Sequence, residues 1–358
     1  MRGPADFVAA MVRPEVRALA AYPVARADGM IKLDAMENPF PLPQRVRSKL
    51  AVAVAAVPVN RYPDGGAEAL KRALRAALNI PEPLGLIVGN GSDELIQLLV
   101  SAVAKPGAAL LAPEPTFVMY RLCALFAGMR FVGVPLKPAF QLDFEAMRAA
   151  IERERPALIF LAYPNNPTGN LFAAAEIEEI LRIAPGLVVI DEAYHAYADA
   201  SFLSRVNEVP NLVVVRTLSK IGMAGLRLGY AIAAPEWTTE LNKLRAPYNV
   251  NALTQAVVPI LLAEGPLYAE QVAKIKTERA RLYAALGTMP GVLAFRTQAN
   301  FVLARFPDAP RWFAQLQDAG ILVKNVDGSH PLLENCLRIT VGTSTEMDAL
   351  LAALKAIR

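Results

Sequence analysis

Between residues 84 and 215 short, unbroken apolar runs alternate with stretches of helical periodicity. The runs are Leu86-Ile87-Val88, Ala109-Leu110-Leu111, Leu158-Ile159-Phe160-Leu161, Leu187-Val188-Val189-Ile190 and Leu212-Val213-Val214-Val215. Runs without polar alternation suit strands buried on both faces, as in a parallel sheet covered by helices. The regular exchange of strand and helix predicts an α/β, doubly wound domain. Ligands of such sheets collect at the carboxyl ends of the strands. The polar segments that follow the runs are GNGSDE, PEPTF, YPNNPTG, DEAY and TLSK. They are predicted to gather along one edge.

The flanks read differently. The first 60 residues are proline-punctuated (Pro39, Pro41, Pro43, Pro58) and read as an arm. Residues 251–287 are mostly helix formers, interrupted by Pro259 and Pro266. The tail from about 299 reads as strands and helices of a smaller α+β unit. Its last helix is well specified. Thr343 and Glu346 have capping-box spacing, and Met347, Leu350, Leu351, Leu354 and Ile357 follow at helical spacing. The expected division is 1–60 as arm and part of the small domain, 61–250 as large domain, and 251–358 as connecting helix and small domain.

Composition narrows the classes. At 358 residues and 54% hydrophobic, the chain buries a substantial core without staples. Its 37 Lys+Arg and 33 Asp+Glu are intermixed, for a formal +4. That argues against nucleic acid as a partner and fits anionic small-molecule substrates. Two distant cysteines, Cys123 and Cys336, form no paired motif, and a reducing cytoplasm is expected. No apolar stretch reaches the ~18 residues that span a bilayer. Asp6, Arg13 and Glu15 interrupt the apolar N-terminus, so neither a signal peptide nor a membrane partner is expected. The mean hydropathy of +0.31 is read as a large buried sheet and a subunit interface. Only His195 and His330 are present, which leaves no multi-histidine metal site.

Candidate chemistry concentrates after the apolar runs. Lys220, among small residues in TLSKIGMAG, reads alone as a solvated loop lysine; the functional alternative is an amine that attacks a carbonyl once its pKa is lowered. Asp191 ends another run, as either a helix cap or the acid that a pyridine nitrogen requires. Asn166 lies in a strong turn signature. Gly91-Ser92 open a helix whose amides and positive end suit a phosphate.

In this order the segments are specific together. The sequence resembles the fold-type I PLP-dependent aminotransferases, and within them the histidinol-phosphate aminotransferase family. The resemblance runs from about residue 22 to the C-terminus. It is carried by LDAMENPFPLP, RYPDGG, GNGSDELI, PEPTF, YPNNPTGN, VVIDEAYHAYA, RTLSKIGMAGLRLGY and CLRITVGT. It implies a mostly parallel seven-stranded sheet covered by helices, a smaller α+β domain, and pyridoxal 5'-phosphate in Schiff-base linkage to Lys220. It further implies that Lys220 shuttles the proton, that Asp191 keeps the ring nitrogen protonated, and that Asn166 and Tyr194 bond the phenolic oxygen. Phe117 is expected on the ring face, and Gly91, Ser92, Ser219 and Arg227 at the phosphate. Tyr62 resembles a tyrosine that reaches the partner subunit's phosphate, which implies a homodimer with shared active sites. Arg338 resembles the arginine that takes the substrate anion. Tyr22 resembles a closing tyrosine of the arm.

Two positions depart from the family pattern. Met36 stands where many members have asparagine. Lys324 stands near a frequent arginine and lacks its bidentate fork. Both bear on the substrate side. The implied reaction is L-histidinol phosphate plus 2-oxoglutarate to imidazole-acetol phosphate plus L-glutamate, a step of histidine biosynthesis. Rivals on the same motifs are an aromatic amino acid aminotransferase and a threonine-phosphate decarboxylase. A transcription regulator of this fold would need an N-terminal DNA-binding module, for which no room is expected.

Overall fold

The computed structural model describes residues 3–21 and 24–357. Its strands are β1 (Ile31–Leu33), β2 (Gly85–Gly89), β3 (Ala109–Glu114), β4 (Arg130–Pro135), β5 (Leu158–Ala162), β6 (Leu187–Asp191), β7 (Leu212–Thr217), β8 (Gly229–Ala233), β9 (Leu293–Ala294), β10 (Phe301–Arg305), β11 (Ile321–Asn325) and β12 (Cys336–Thr340).

All five apolar runs lie in strands of one seven-stranded sheet, ordered β2-β8-β7-β6-β5-β3-β4. Only β8 runs against its neighbours; the other six strands are parallel. Central strands β5, β6 and β7 are buried at every position, which explains their lack of polar alternation. Helices such as Ser92–Val103 and Ala174–Ile183 turn apolar faces onto the sheet. Two strands of this sheet, β4 and β8, are not among those runs. In β4, Arg130, Gly133 and Pro135 break the pattern, and an edge strand tolerates a proline that cannot join the ladder. In β8, Gly229 is small because the chain passes against the turn after β2. A Cβ there would stand 2.5 Å from the backbone of Gly91 and Ser92.

The second sheet has five strands, ordered β1-β11-β12-β10-β9. The N-terminal segment therefore supplies more than an arm. β1 pairs in parallel with β11, Ile31 opposite Ile321. The helix Gln44–Ala55 packs along Ala252–Leu262. Proline punctuation falls where the sequence places it: Pro259 inside Ala252–Leu262, and Pro266 in the first turn of the 23-residue helix Gly265–Gly287. The last helix, Ser344–Ala356, has its capping box, with Thr343 N donating to Glu346 Oε2 at 2.7 Å. Met347, Leu350, Leu351 and Leu354 are buried, while Ile357 lies just past the helix as its C-cap. Among the described residues no single helix is long and apolar enough to cross a membrane.

Candidate active site

Parallel strands bring their carboxyl ends to one edge, and each delivers at least one group there. β6 ends on Asp191, with Tyr194 three residues on. β7 ends on Thr217, followed by Ser219 and Lys220. β5 leads to Asn166 and β3 to Phe117. β2 leads to Gly91 and to the N-terminus of Ser92–Val103. A cleft of about 570 Å³ is lined by Ser92, Phe117, Asn166, Asp191, Tyr194, Ser219, Lys220 and Arg227, with Tyr120, Thr217 and Met36. The structure thus brings together eight of the nine cofactor residues expected from this chain's own strands, with Gly91 directly behind Arg227.

Electrostatics follow from burial. Burial pushes the Lys220 amine down to about 8, and the nearby Arg338 charge adds to the effect. Its Nζ donates to the Ala35 carbonyl at 3.1 Å. Burial pushes the Asp191 carboxyl up to about 6, opposed by hydrogen bonds from Tyr120 Oη (2.7 Å to Oδ2) and from the Ala193 amide (3.0 Å to Oδ1). Next to Asp191, Glu192 forms a buried ion pair with Arg216 at 2.8 Å, which ties the ends of β6 and β7 together. Breaking such a pair by removing one partner costs about 3–5 kcal/mol. His195 bonds the Glu192 carbonyl at 3.1 Å; burial pushes its pKa down to about 3, so its ring is neutral.

The donor set fits a phosphorylated pyridine aldehyde. A partly buried amine with depressed pKa stands at one end. A buried carboxylate stands at another, where a ring nitrogen would need it. The phosphate end is a cradle. Gly91 has φ +90°, and a Cβ on it would stand 2.6 Å from Arg227 Nη2. Arg227 Nη1 donates to Ser219 Oγ at 3.3 Å, and the helix Ser92–Val103 points its positive end inward. A side chain on Gly91 would run into Arg227, and one on Gly229 into the backbone of Gly91 and Ser92.

A second cleft of about 1240 Å³ joins the first at Met36, Phe117 and Asn166 and opens between the two sheets. Arg338, 7% exposed, lines it; its Nη1 donates to Asn166 Oδ1 at 2.6 Å and its Nη2 to the Asp34 carbonyl at 2.7 Å. Lys324, directly across the β11–β12 ladder from Arg338, lines it too. One expected residue lies elsewhere, and one is not described. Tyr62 is 80% exposed, stacked on Tyr248 at 4.6 Å between ring centroids, and does not line the cleft. Tyr22 falls outside the described residues.

Sequence reasoning missed Tyr120 and Thr217. Tyr120 is buried, stacks on Phe160 at 4.4 Å and holds Asp191. Its one signal was a spacing of three from Phe117, which puts both rings on the same side of the turn into Met119–Phe126. Thr217 closes β7 and donates to Ser219 Oγ at 2.9 Å.

Comparison with known proteins agrees with this geometry. Residues 28–354 match the family described as aminotransferase class I and II. A histidinol-phosphate aminotransferase of Chromobacterium violaceum is 55% identical, over 96% of this chain and 97% of its own. One from Ralstonia nicotianae is 49% identical over 98% and 96%. Among solved structures, the histidinol-phosphate aminotransferase of Sinorhizobium meliloti in complex with pyridoxal-5'-phosphate superposes with a TM-score of 0.85 at 26% identity, covering 97% of each chain. The chain belongs to the aminotransferase class I and II family, as a fold-type I transaminase that works with pyridoxal 5'-phosphate.

Proposed function

We infer that the protein is a histidinol-phosphate aminotransferase, exchanging the amino group of L-histidinol phosphate with 2-oxoglutarate. The observation that carries this reading is Arg338, a buried guanidinium at the junction of the two clefts beside Asn166 and Lys220. An amino donor with its amine toward Lys220 would meet this arginine with its anion. Phosphate and carboxylate both suit the planar fork, so one group serves both half-reactions. The names of the relatives from C. violaceum and R. nicotianae support the same substrate.

Bound pyridoxal phosphate supplies an aldehyde that captures amines and a ring that delocalises the charge left at the substrate Cα. The chain's residues do the rest. Lys220 would hold the aldehyde carbon, and its amine would carry the proton at the substrate Cα. Asp191 holds the ring nitrogen protonated. Asn166, with Oδ1 engaged by Arg338, has Nδ2 left to donate to the phenolic oxygen, and the Tyr194 hydroxyl, which donates to Met36 Sδ here, would turn its proton there. Phe117 covers the ring face. Ser92, Ser219, Arg227 and the Gly91 backbone hold the phosphate. Lys324 adds positive charge on the substrate side.

Tyr62 belongs to the same reading. An 80% exposed aromatic beside Tyr248 suits a second copy of the chain, whose phosphate site Tyr62 would complete. A cytoplasmic homodimer is therefore part of the proposal. The test is a half-reaction. Holoenzyme receives L-histidinol phosphate without keto acid, with L-phenylalanine and L-threonine phosphate in parallel, and cofactor absorbance is followed. Fastest conversion by histidinol phosphate is expected. Faster conversion by phenylalanine, or carbon dioxide from threonine phosphate, overturns the substrate.

A further inference from the structure

The turn after β1 touches three groups of the site in succession. The Asp34 carbonyl accepts from Arg338, the Ala35 carbonyl from Lys220, and Met36 Sδ from the Tyr194 hydroxyl at 3.3 Å. Met36 holds φ 55°, a left-handed conformation that long side chains disfavour and glycine or asparagine accept. Its surroundings enforce the strain. Its amide donates to Thr340 Oγ1 at 3.0 Å, and its carbonyl accepts from Asn300 Nδ2 at 2.9 Å. Strain so pinned beside a site points to a use for the side chain. That side chain, 8% exposed, forms the neck between the two clefts with Phe117 and Asn166. Phe117 and Asn166 already face the cofactor in the proposed assignment. Met36 is left to face what enters from the second cleft.

We propose that Met36 is a specificity-determining residue: its methylenes and thioether form the apolar wall at the neck on which the ring of an aromatic amino donor packs. A linear dicarboxylate passes the same neck without using that wall. An unbranched, polarisable thioether suits a ring edge and adapts to it. The proposal rests on the histidinol phosphate reading for the identity of the ring, and on the two-cleft geometry for the wall.

The experiment compares Met36→Leu with Met36→Asn, running the L-histidinol phosphate and L-glutamate half-reactions separately on holoenzyme. Leucine keeps apolar bulk and removes the sulfur; asparagine suits the backbone and removes the wall. Met36→Asn is expected to lose about tenfold or more in kcat/KM for histidinol phosphate, mostly in KM, the scale on which apolar pockets discriminate. Glutamate should change by less than about threefold, and Met36→Leu should stay within about threefold for both. Calorimetric binding in a Lys220→Ala background should repeat the selective weakening without turnover. Melting of the apoprotein should show Met36→Asn folded, since asparagine accepts this φ. Equal losses in both half-reactions, no loss in either, or a Met36→Leu that behaves like Met36→Asn overturns the proposal. If the wild type prefers L-phenylalanine, the substrate reading fails by itself. The ratio of phenylalanine to glutamate then reads the same wall with the same expected tenfold change.

Discussion

Two groups set the site's pH behaviour at the scale of single residues. Only the neutral amine of Lys220 attacks an aldehyde, and its pKa stands at about 8. The rate at which apoprotein captures pyridoxal phosphate should therefore climb with pH and level off above about 8, as stopped-flow absorbance will show. A midpoint near the ordinary lysine value would contradict the burial argument. In the proposed assignment Asp191 works as a carboxylate, and Tyr120 is one of two groups whose hydrogen bonds hold its pKa down against burial. Tyr120→Phe should move the acid limb of the kcat/KM profile to higher pH and lower activity at pH 6 by about tenfold, with a smaller loss at pH 8. Lys220 and Asp191 were legible because one follows and the other ends a strand, each in a recognisable motif. Tyr120 was not, because MYRLCALF reads as an ordinary apolar helix face and its partner lies 71 residues away. Met36 was visible as a departure in type, but its left-handed backbone depends on Thr340 and Asn300, both far along the chain.

Elements place these groups, and one close approach dominates. β8 runs past the turn that opens Ser92–Val103 with no room for a methyl group at Gly229. Backbone atoms cannot yield as a flexible side chain can. Gly229→Ala should displace the helix N-terminus from the phosphate cradle and raise the pyridoxal phosphate Kd by about tenfold or more in a spectral titration. Gly225→Ala, with open space around it, is the matched control and should bind normally. The five buried runs announced the sheet because strands covered on both faces carry no polar positions. β4 stayed hidden as an edge strand with breakers, whereas β8 carries the apolar run Tyr230-Ala231-Ile232-Ala233 and was masked by the lysine motif that it directly follows. β1 was hidden too: three residues, IKL, gain strand character only from β11.

For the whole molecule, the proposed dimer makes a sharp demand. Tyr62→Phe subunits keep Lys220, and Lys220→Ala subunits keep Tyr62. If Tyr62 serves the partner's phosphate, mixed dimers hold one site with both groups intact. Activity above the sum of the two variants alone is expected after co-refolding, measured against unmixed controls; strict additivity would place Tyr62 outside the partner's site. The motifs made the cofactor edge readable, but not the two-cleft arrangement, because that depends on how the two sheets face each other.

The pairing of β1 with β11 also sets a clock. During synthesis Ile31 emerges long before Ile321, and Asp34 waits with it for Arg338 to appear and complete the turn. At about 5–20 residues per second, the intervening chain of about 290 residues takes roughly 15–60 s to make. For part of that time Lys220 and Asp191 stand without Arg338. A nascent chain thus carries all of its own cofactor-facing residues before it carries the arginine proposed to choose a substrate.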